Sequence, residues 1–353
     1  MGRPSQRLRI GVMGAGAIGC YFGGRLVASG GVDVTFVGRP ALGEVLAERG
    51  MTIREFDRDE HIEASQIEFA TEPEALRDCD VVLCCVKSGG TADTAITLSQ
   101  VLRPETIVVS LQNGIRNPTT LREHLPNNRV VAAIVTFNVV MLDGGLFHHT
   151  TSGPLVLETR DMPEHQGWVD AFRAADVEIQ EEDPIAPEQW TKLLVNLSNA
   201  INALAGVPTR AMILSRDYRR VVAMVLEEAL DVLEAAGVRL AKFRGVPLRA
   251  MAWIMKLPTP LFRVVIRAQL RIDPDSRSSM WQDLVRGRMT EIDYLNGEIV
   301  RLAEEHGIDA PLNRRIVALI RKAERAGTGS PDLSPEALTA ALHSASSLTD
   351  ATA

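Results

Sequence analysis

Leu8 to Gly19, LRIGVMGAGAIG, reads as a short apolar strand that breaks into a glycine turn and then a helix. Gly14, Gly16 and Gly19 stand in the order G-x-G-x-x-G. In a dinucleotide-binding unit the first glycine permits the tight turn. The second lets the backbone approach a pyrophosphate, and the third lets the helix pack on the strand. The N–H groups and dipole of the helix N-terminus, here the turn through Ala17 and Ile18, attract the anion. The surroundings suit the motif, with small residues along Ala17 to Ala28 and a second strand at Val32 to Val37. That strand ends Phe36-Val37-Gly38-Arg39, where an NAD site usually has an acid for the ribose 2′-hydroxyl. Arg39 offers a planar cation suited to a 2′-phosphate, so NADP(H) is the cofactor expected. A solvated loop arginine is the plainer alternative.

Outward from this stretch, 353 residues of which 46% are hydrophobic predict two domains with substantial cores. A net charge of −7 without a long basic run argues against nucleic acid. No apolar run has the length of a membrane span, and MGRPSQ carries no apolar signal segment, so a cytoplasmic location is expected. Cys20, Cys79, Cys84 and Cys85 read as buried apolar residues of a reduced compartment. The adjacent pair on one strand would point to opposite faces, which is poor geometry for a metal or a disulfide, and no metal is expected.

Asp80 to Val86 (DVVLCCV) is a continuous apolar run, the mark of a parallel strand covered on both faces. It ends at Lys87-Ser88, the end of the sheet where such folds bind ligands. A short helix near Leu42 to Arg49 and a β excursion precede it. Further strands are read at Thr106 to Leu111, Val130 to Val135, Thr150 to Glu158 as an antiparallel return, and Val177 to Gln180. The alternation predicts an α/β, doubly wound sheet over residues 1–183. Residues 184–327 read as all-helical, with helices at Glu188 to Ala205, Arg216 to Ala236 and Asn313 to Arg325, and a helix or helix pair over Met280 to Glu305. Pro247, Pro258 and Pro260 break the segment Gly245 to Ile272. Arg263, Arg267 and Arg271 form a stripe read as a solvated face. Residues 328–353 form a tail, with a weak helix to His343 capped by Ser334 and a disordered end.

The helix Glu188 to Ala205 carries a polar stripe of Lys192, Asn196, Asn199 and Asn202. Asparagine is unfavourable inside helices, so these amides should have partners: a ligand, or packing against other helices. Thr290 to Gly297 is a second dense patch, containing Glu291, which an ordinary amphipathic helix would also explain.

Taken together, Gly14-Ala-Gly-Ala-Ile-Gly19, Gln112-Asn113-Gly114, Trp190-Thr-Lys192-Leu-Leu-Val-Asn196, Ser278-Ser279-Met280-Trp-Gln-Asp283 and Thr290-Glu291-Ile-Asp-Tyr-Leu-Asn-Gly297 resemble the ketopantoate reductase (2-dehydropantoate 2-reductase) family. The resemblance implies a Rossmann-type N-terminal domain and a helical C-terminal domain. It also implies NADPH-dependent reduction of a 2-oxo acid on the route to pantothenate and coenzyme A. By position it makes Lys192 the proton donor and Glu291 its acidic partner. Asn113 matches the nicotinamide and ribose end and a substrate contact, Asn196 and Ser279 match substrate-binding residues, and Arg39 and Lys87 match the 2′-phosphate end. A neighbouring positive charge could lower the lysine pKa toward a useful value.

Ala200 and Ser276 stand where the family often has asparagines that touch substrate, which opens the identity of the acyl chain. The segment Gly245 to Asp275 is also longer than in short members. A reductase of another 2-oxo acid or of an imine, and a non-catalytic NADP-binding sensor, remain alternatives. A homodimer face on Val221 to Ala236 is conceivable, though those residues are more simply core.

Overall fold

The structure is a computed structural model that describes residues 7–55, 58–159, 166–266 and 276–344. The chain divides into two compact units, Met1–Ile185 and Ala186–Ala353.

The first unit alternates strand and helix. Its strands are β1 (Arg9–Met13), β2 (Asp33–Val37), β3 (Met51–Glu55), β4 (Arg58–Ile62), β5 (Glu68–Ala70), β6 (Val81–Cys84), β7 (Ile107–Ser110), β8 (Arg129–Val135), β9 (Val139–Leu142), β10 (Leu146–His149), β11 (Leu155–Glu158) and β12 (Ile179–Glu182). Its helices are α1 (Ala17–Ser29), α2 (Pro40–Arg49), α3 (Thr91–Val101), α4 (Asn117–His124) and α5 (Gln166–Ala174). The main sheet has the order β12-β11-β8-β7-β6-β1-β2-β5. Strands β5 to β8 across that list run parallel, and β11 returns antiparallel to β8. This is the Rossmann strand order, with β1 at the point where the order reverses.

Strand β6 shows why an unbroken apolar run suits a parallel strand. Val81 and Leu83 join one core cluster, and Val82 and Cys84 join the cluster on the other face with Ala95, Leu98 and Leu121. Cys85 then packs on the first cluster, so the two adjacent cysteines do part to opposite faces. Burial raises their thiol pKa values, that of Cys84 to about 12, which leaves them as inert packing groups.

The β excursion after α2 becomes a second sheet of order β4-β3-β10-β9. A cluster of polar groups fastens it to α1. Tyr21 donates to Glu55 Oε1 at 2.5 Å, and Arg25 reaches Glu60 at 3.0 Å and the Ala175 carbonyl at 2.9 Å. The hydrogen bond with His149, together with those groups, pulls the Glu55 carboxyl down to about 2.

The second unit is helical among its described residues. It comprises α6 (Ala186–Asn196), α7 (Ser198–Ala205), α8 (Thr209–Leu214), α9 (Arg216–Ala235), α10 (Leu248–Met255), α11 (Thr259–Val265), α12 (Ser279–Val285), α13 (Asn296–Glu305), α14 (Pro311–Ala326) and α15 (Pro335–His343). The long α9 lies against α8, α10, α13, α14 and α15. Its apolar face, including Val221, Val225 and Leu226, is buried as core in this chain.

One expectation changes, and the helix expected in the tail is present. The helix read over Glu188 to Ala205 is two helices, because the chain turns at Leu197, whose N–H bonds Leu194 at 3.3 Å. Ser198 hydroxyl bonds the Val195 carbonyl at 2.9 Å there, the local competition that loosens a helix. The tail is folded through His343. Ser334 caps α15, Leu338 and Leu342 are buried, and Leu333 N–H bonds Leu204 O at 2.8 Å. Residues 345–353, with the disorder expected there, lie outside the described residues. So do Arg267 and Arg271 of the arginine stripe. What is described of that segment is tied down by Arg219. Its guanidinium is buried and bonds the carbonyls of Met255 (2.9 Å), Leu257 (2.8 Å) and Ile213 (3.0 Å).

Candidate functional site

The register of the main sheet brings four loop starts to one edge. Met13 is level with Val37 and with Cys84, and Cys84 is level with Ser110. The turns after β1, β2, β6 and β7 therefore leave the carboxyl end of the sheet side by side. They carry Gly14 to Gly19, Arg39, Lys87 and Asn113.

Each glycine of the first turn has a separate physical reason. Gly14 has φ +99°, and a Cβ there would lie 2.8 Å from the Val86 nitrogen. A Cβ on Gly19 would lie 2.5 Å from the Gly14 oxygen and 2.8 Å from Val12. Around Gly16 there is nothing within 4 Å of that position, so the backbone is open to a ligand. Gly14 and Ala15 N–H both donate to Val37 O at 3.0 Å, which ties the turn to the end of β2. Helix α1 begins at Ala17 with neither a side-chain cap nor an acid in its first turn. Its N-terminal dipole and N–H groups suit an anion. Two residues past Val37, Arg39 is exposed at the start of α2, and no carboxylate stands at that strand end. This donor set fits a dinucleotide pyrophosphate with a phosphorylated ribose. Lys87 is exposed at the next turn, ahead of the short turn Ser88–Gly90, and Asn113 is half-buried after β7.

In the helical unit, Lys192 and Asn196 share a face of α6, and both are half-buried. Burial lowers the Lys192 ammonium to about 8. The cause is desolvation. The rest of the polar stripe divides at Leu197. Asn202 is 1% exposed, accepting from Ser278 N–H at 2.9 Å and donating to the Val207 carbonyl at 2.9 Å. Its partners are protein groups, and its amide pins the start of α12 to α7. Ser278 caps α12, accepting from Trp281 N–H and donating to the Asn199 carbonyl, both at 3.1 Å. Ser279, the next residue, is exposed at the first position of that helix. Of the serine pair, the first is committed to the fold and the second is presented. Ala200, where the family often has an asparagine, is wholly buried. Ser276 gives its carbonyl to Thr209 N–H at 2.8 Å.

Glu291 is half-buried at the head of the turn Ile292–Tyr294. That turn is held from both sides by α14. Thr290 N–H bonds Glu324 at 2.7 Å, and Asp293 bonds Arg321 at 2.7 Å. Sequence reading missed one set of residues, Ser88, Thr91 and Asn117, which bond the Lys87 turn to the Asn113 turn. The Asn117-Pro118 step that opens α4 was the visible signal.

Comparison with known proteins agrees with this fold. Residues 10–161 match the family model described as ketopantoate reductase PanE/ApbA, and residues 184–324 match the C-terminal model of the same family. A 2-dehydropantoate 2-reductase of Halobacterium salinarum is 30% identical over 91% of this chain and 100% of its own length. One of Pyrococcus horikoshii is 30% identical over 92% of this chain and 100% of its own length. The crystal structure of a PanE/ApbA family ketopantoate reductase from Ralstonia eutropha superposes with a TM-score of 0.77 at 32% identity. It covers 91% of this chain and 99% of its own. On this similarity over nearly its full length, the chain belongs to the ketopantoate reductase family.

Proposed function

We propose that this protein reduces ketopantoate to pantoate with NADPH, a step toward pantothenate and coenzyme A. Lys192 is the proton donor in this reading. The observation that carries it is a half-buried lysine held near pKa 8 beside Asn196, in a chain of this family. Gly14, Gly16, Ala17, Ile18 and Gly19 would hold the pyrophosphate, and Arg39 and Lys87 the 2′-phosphate. Asn113 would sit at the nicotinamide end and against substrate. When bound, the reduced nicotinamide supplies the hydride that the keto carbon accepts.

The chain's own residues do the rest. The Lys192 ammonium donates to the keto oxygen and passes it a proton as that oxygen becomes an alcohol. Because negative charge grows on the oxygen during the reaction, the cation stabilises the transition state more than the bound keto acid. Glu291 orients Lys192 and the substrate oxygen. Asn196 and the exposed Ser279 hydroxyl hold the substrate, with Ser279 donating to its carboxylate.

A second reading rests on Ala200. A methyl in the core replaces a potential substrate amide, which favours a different 2-oxo acid on the same machinery. The test is loss of reduced-nicotinamide absorbance with ketopantoate beside a panel of 2-oxo acids and imines. Turnover fastest on ketopantoate is the expected result. Faster turnover on another member would move the substrate and keep the mechanism. NADPH binding without turnover on any of them would leave a sensor.

A further inference from the structure

We infer that Asn117 is a positioning residue for the cofactor, because its buried amide clamps the turn bearing Asn113 to the turn bearing Lys87. The inference rests on the assignment of those two residues to cofactor binding made above.

Asn117 is 2% exposed, and every bond of its side chain is directed away from its own helix. Its Nδ2 donates to the Asn113 carbonyl at 2.5 Å and to Ser88 Oγ at 3.0 Å. Its Oδ1 accepts from Thr91 Oγ at 2.8 Å. The neighbours fix which way the amide faces. Thr91 hydroxyl accepts from Gln112 Nε2 at 2.7 Å, so its proton goes to Asn117. Ser88 hydroxyl donates to the Asn113 carbonyl at 3.1 Å, so it accepts from Asn117. Gln112 also donates to the Val86 carbonyl at 3.0 Å and accepts from Ser110 at 3.1 Å.

The hydrogen bonds thus run in one direction, from Gln112 through Thr91, Asn117 and Ser88 to the Asn113 carbonyl. Asn113 receives two of them on its backbone oxygen, which sets the path of its turn without engaging its side-chain amide. Ser88 lies next to Lys87, so the same side chain sets the spacing between the two ends of the cofactor cleft. A buried network in which each donor and acceptor is used has one low-energy arrangement. Pre-organisation of this kind acts on affinity and alignment more than on the chemistry of the proton donor.

The test compares the full-length protein with Asn117→Asp and Ser88→Ala. Asn117→Asp keeps the acceptor for Thr91 and replaces both donors with an oxygen facing the Asn113 carbonyl. Ser88→Ala removes one strand of the clamp and keeps the direct bond from Asn117 to Asn113. Readouts are NADPH Kd by nicotinamide fluorescence, KM for the keto acid, and Tm. We expect Asn117→Asp to raise NADPH Kd about tenfold, and Ser88→Ala about threefold, as loss of one to two buried hydrogen bonds implies. Keto acid KM should move less than NADPH Kd, because only Asn113 of the assigned substrate contacts stands on the clamped turn, while Lys192, Asn196 and Ser279 stand on other elements. A purely structural role would lower Tm and leave NADPH Kd, measured well below Tm, unmoved. That result overturns the inference, and Ser88→Ala decides it alone if Asn117→Asp does not fold. Asn113→Ala and Lys87→Ala are measured alongside. If neither weakens NADPH, the site assignment fails and the inference falls with it. If they weaken it while the clamp variants do not, the inference alone fails.

Discussion

At Lys192 burial lowers the affinity of an amine for its proton. The charged form loses more hydration on removal from water than the neutral amine does. Acting as the acid in keto reduction, Lys192 must enter the reaction protonated. The reduction rate should therefore be flat below about pH 7 and fall about tenfold per unit above pH 8. A profile rising through that window would remove Lys192 from the role of acid. The same shift has a stability consequence. Between about 8 and the ordinary value of 10.5 the unfolded chain binds the proton that the folded chain has lost, so folding stability from this group rises with pH there. Lys192→Ala should lower kcat by about two to four orders of magnitude with NADPH Kd little changed. Arg39 makes a separate prediction. Arg39→Ala should weaken NADPH about tenfold or more and NADH by less than about threefold, since only one of them carries the 2′-phosphate. Equal losses in a side-by-side titration would count against that contact.

The turn from β1 to α1 separates two kinds of glycine that a motif writes with one letter. Gly16 has room for a methyl, and its φ of −100° suits alanine. Gly16→Ala should fold with Tm within about 2 °C of the parent and lose NADPH affinity by more than about tenfold, because the methyl occupies the ligand's space. Gly19→Ala should do the opposite first, costing about 1–3 kcal/mol of stability through the close contacts with Gly14 and Val12. Thermal melts and cofactor titrations of the two variants check both. The serine pair at α12 divides in the same way. Ser278 is spent on capping α12 and on the Asn199 carbonyl, which leaves Ser279 as the hydroxyl a substrate could meet.

On the assignments proposed above, the cofactor residues fall in one compact unit and Lys192 and Glu291 in the other. Residues 1–185 expressed alone should bind NADPH and turn over no keto acid, because Lys192 and Glu291 belong to the other unit. Fluorescence titration and an activity assay test this, and a folded fragment that ignores NADPH would contradict it. Among the described residues no helix is long and apolar enough to cross a membrane. Much of this organisation is legible in one dimension. The glycine spacing, the arginine after β2 and the apolar run of β6 depend on residues within a few positions of each other. Periodicity of two or 3.6 expresses which faces are buried. That is why the strand-helix alternation, the helical second half and the candidates Gly14 and Arg39 could be named from the sequence by itself, while the roles of Lys192 and Glu291 came from the family resemblance. What only the tertiary structure decided is which polar residues belong to the fold. Asn202 could have met a ligand or another helix, and Ser278, 76 residues on, decides for the helix. Asn117 went unread in the sequence, because its partner Ser88 lies 29 residues back. Partners that distant are set by strand order and helix packing, and a buried amide's role is defined by the partner that replaces its water.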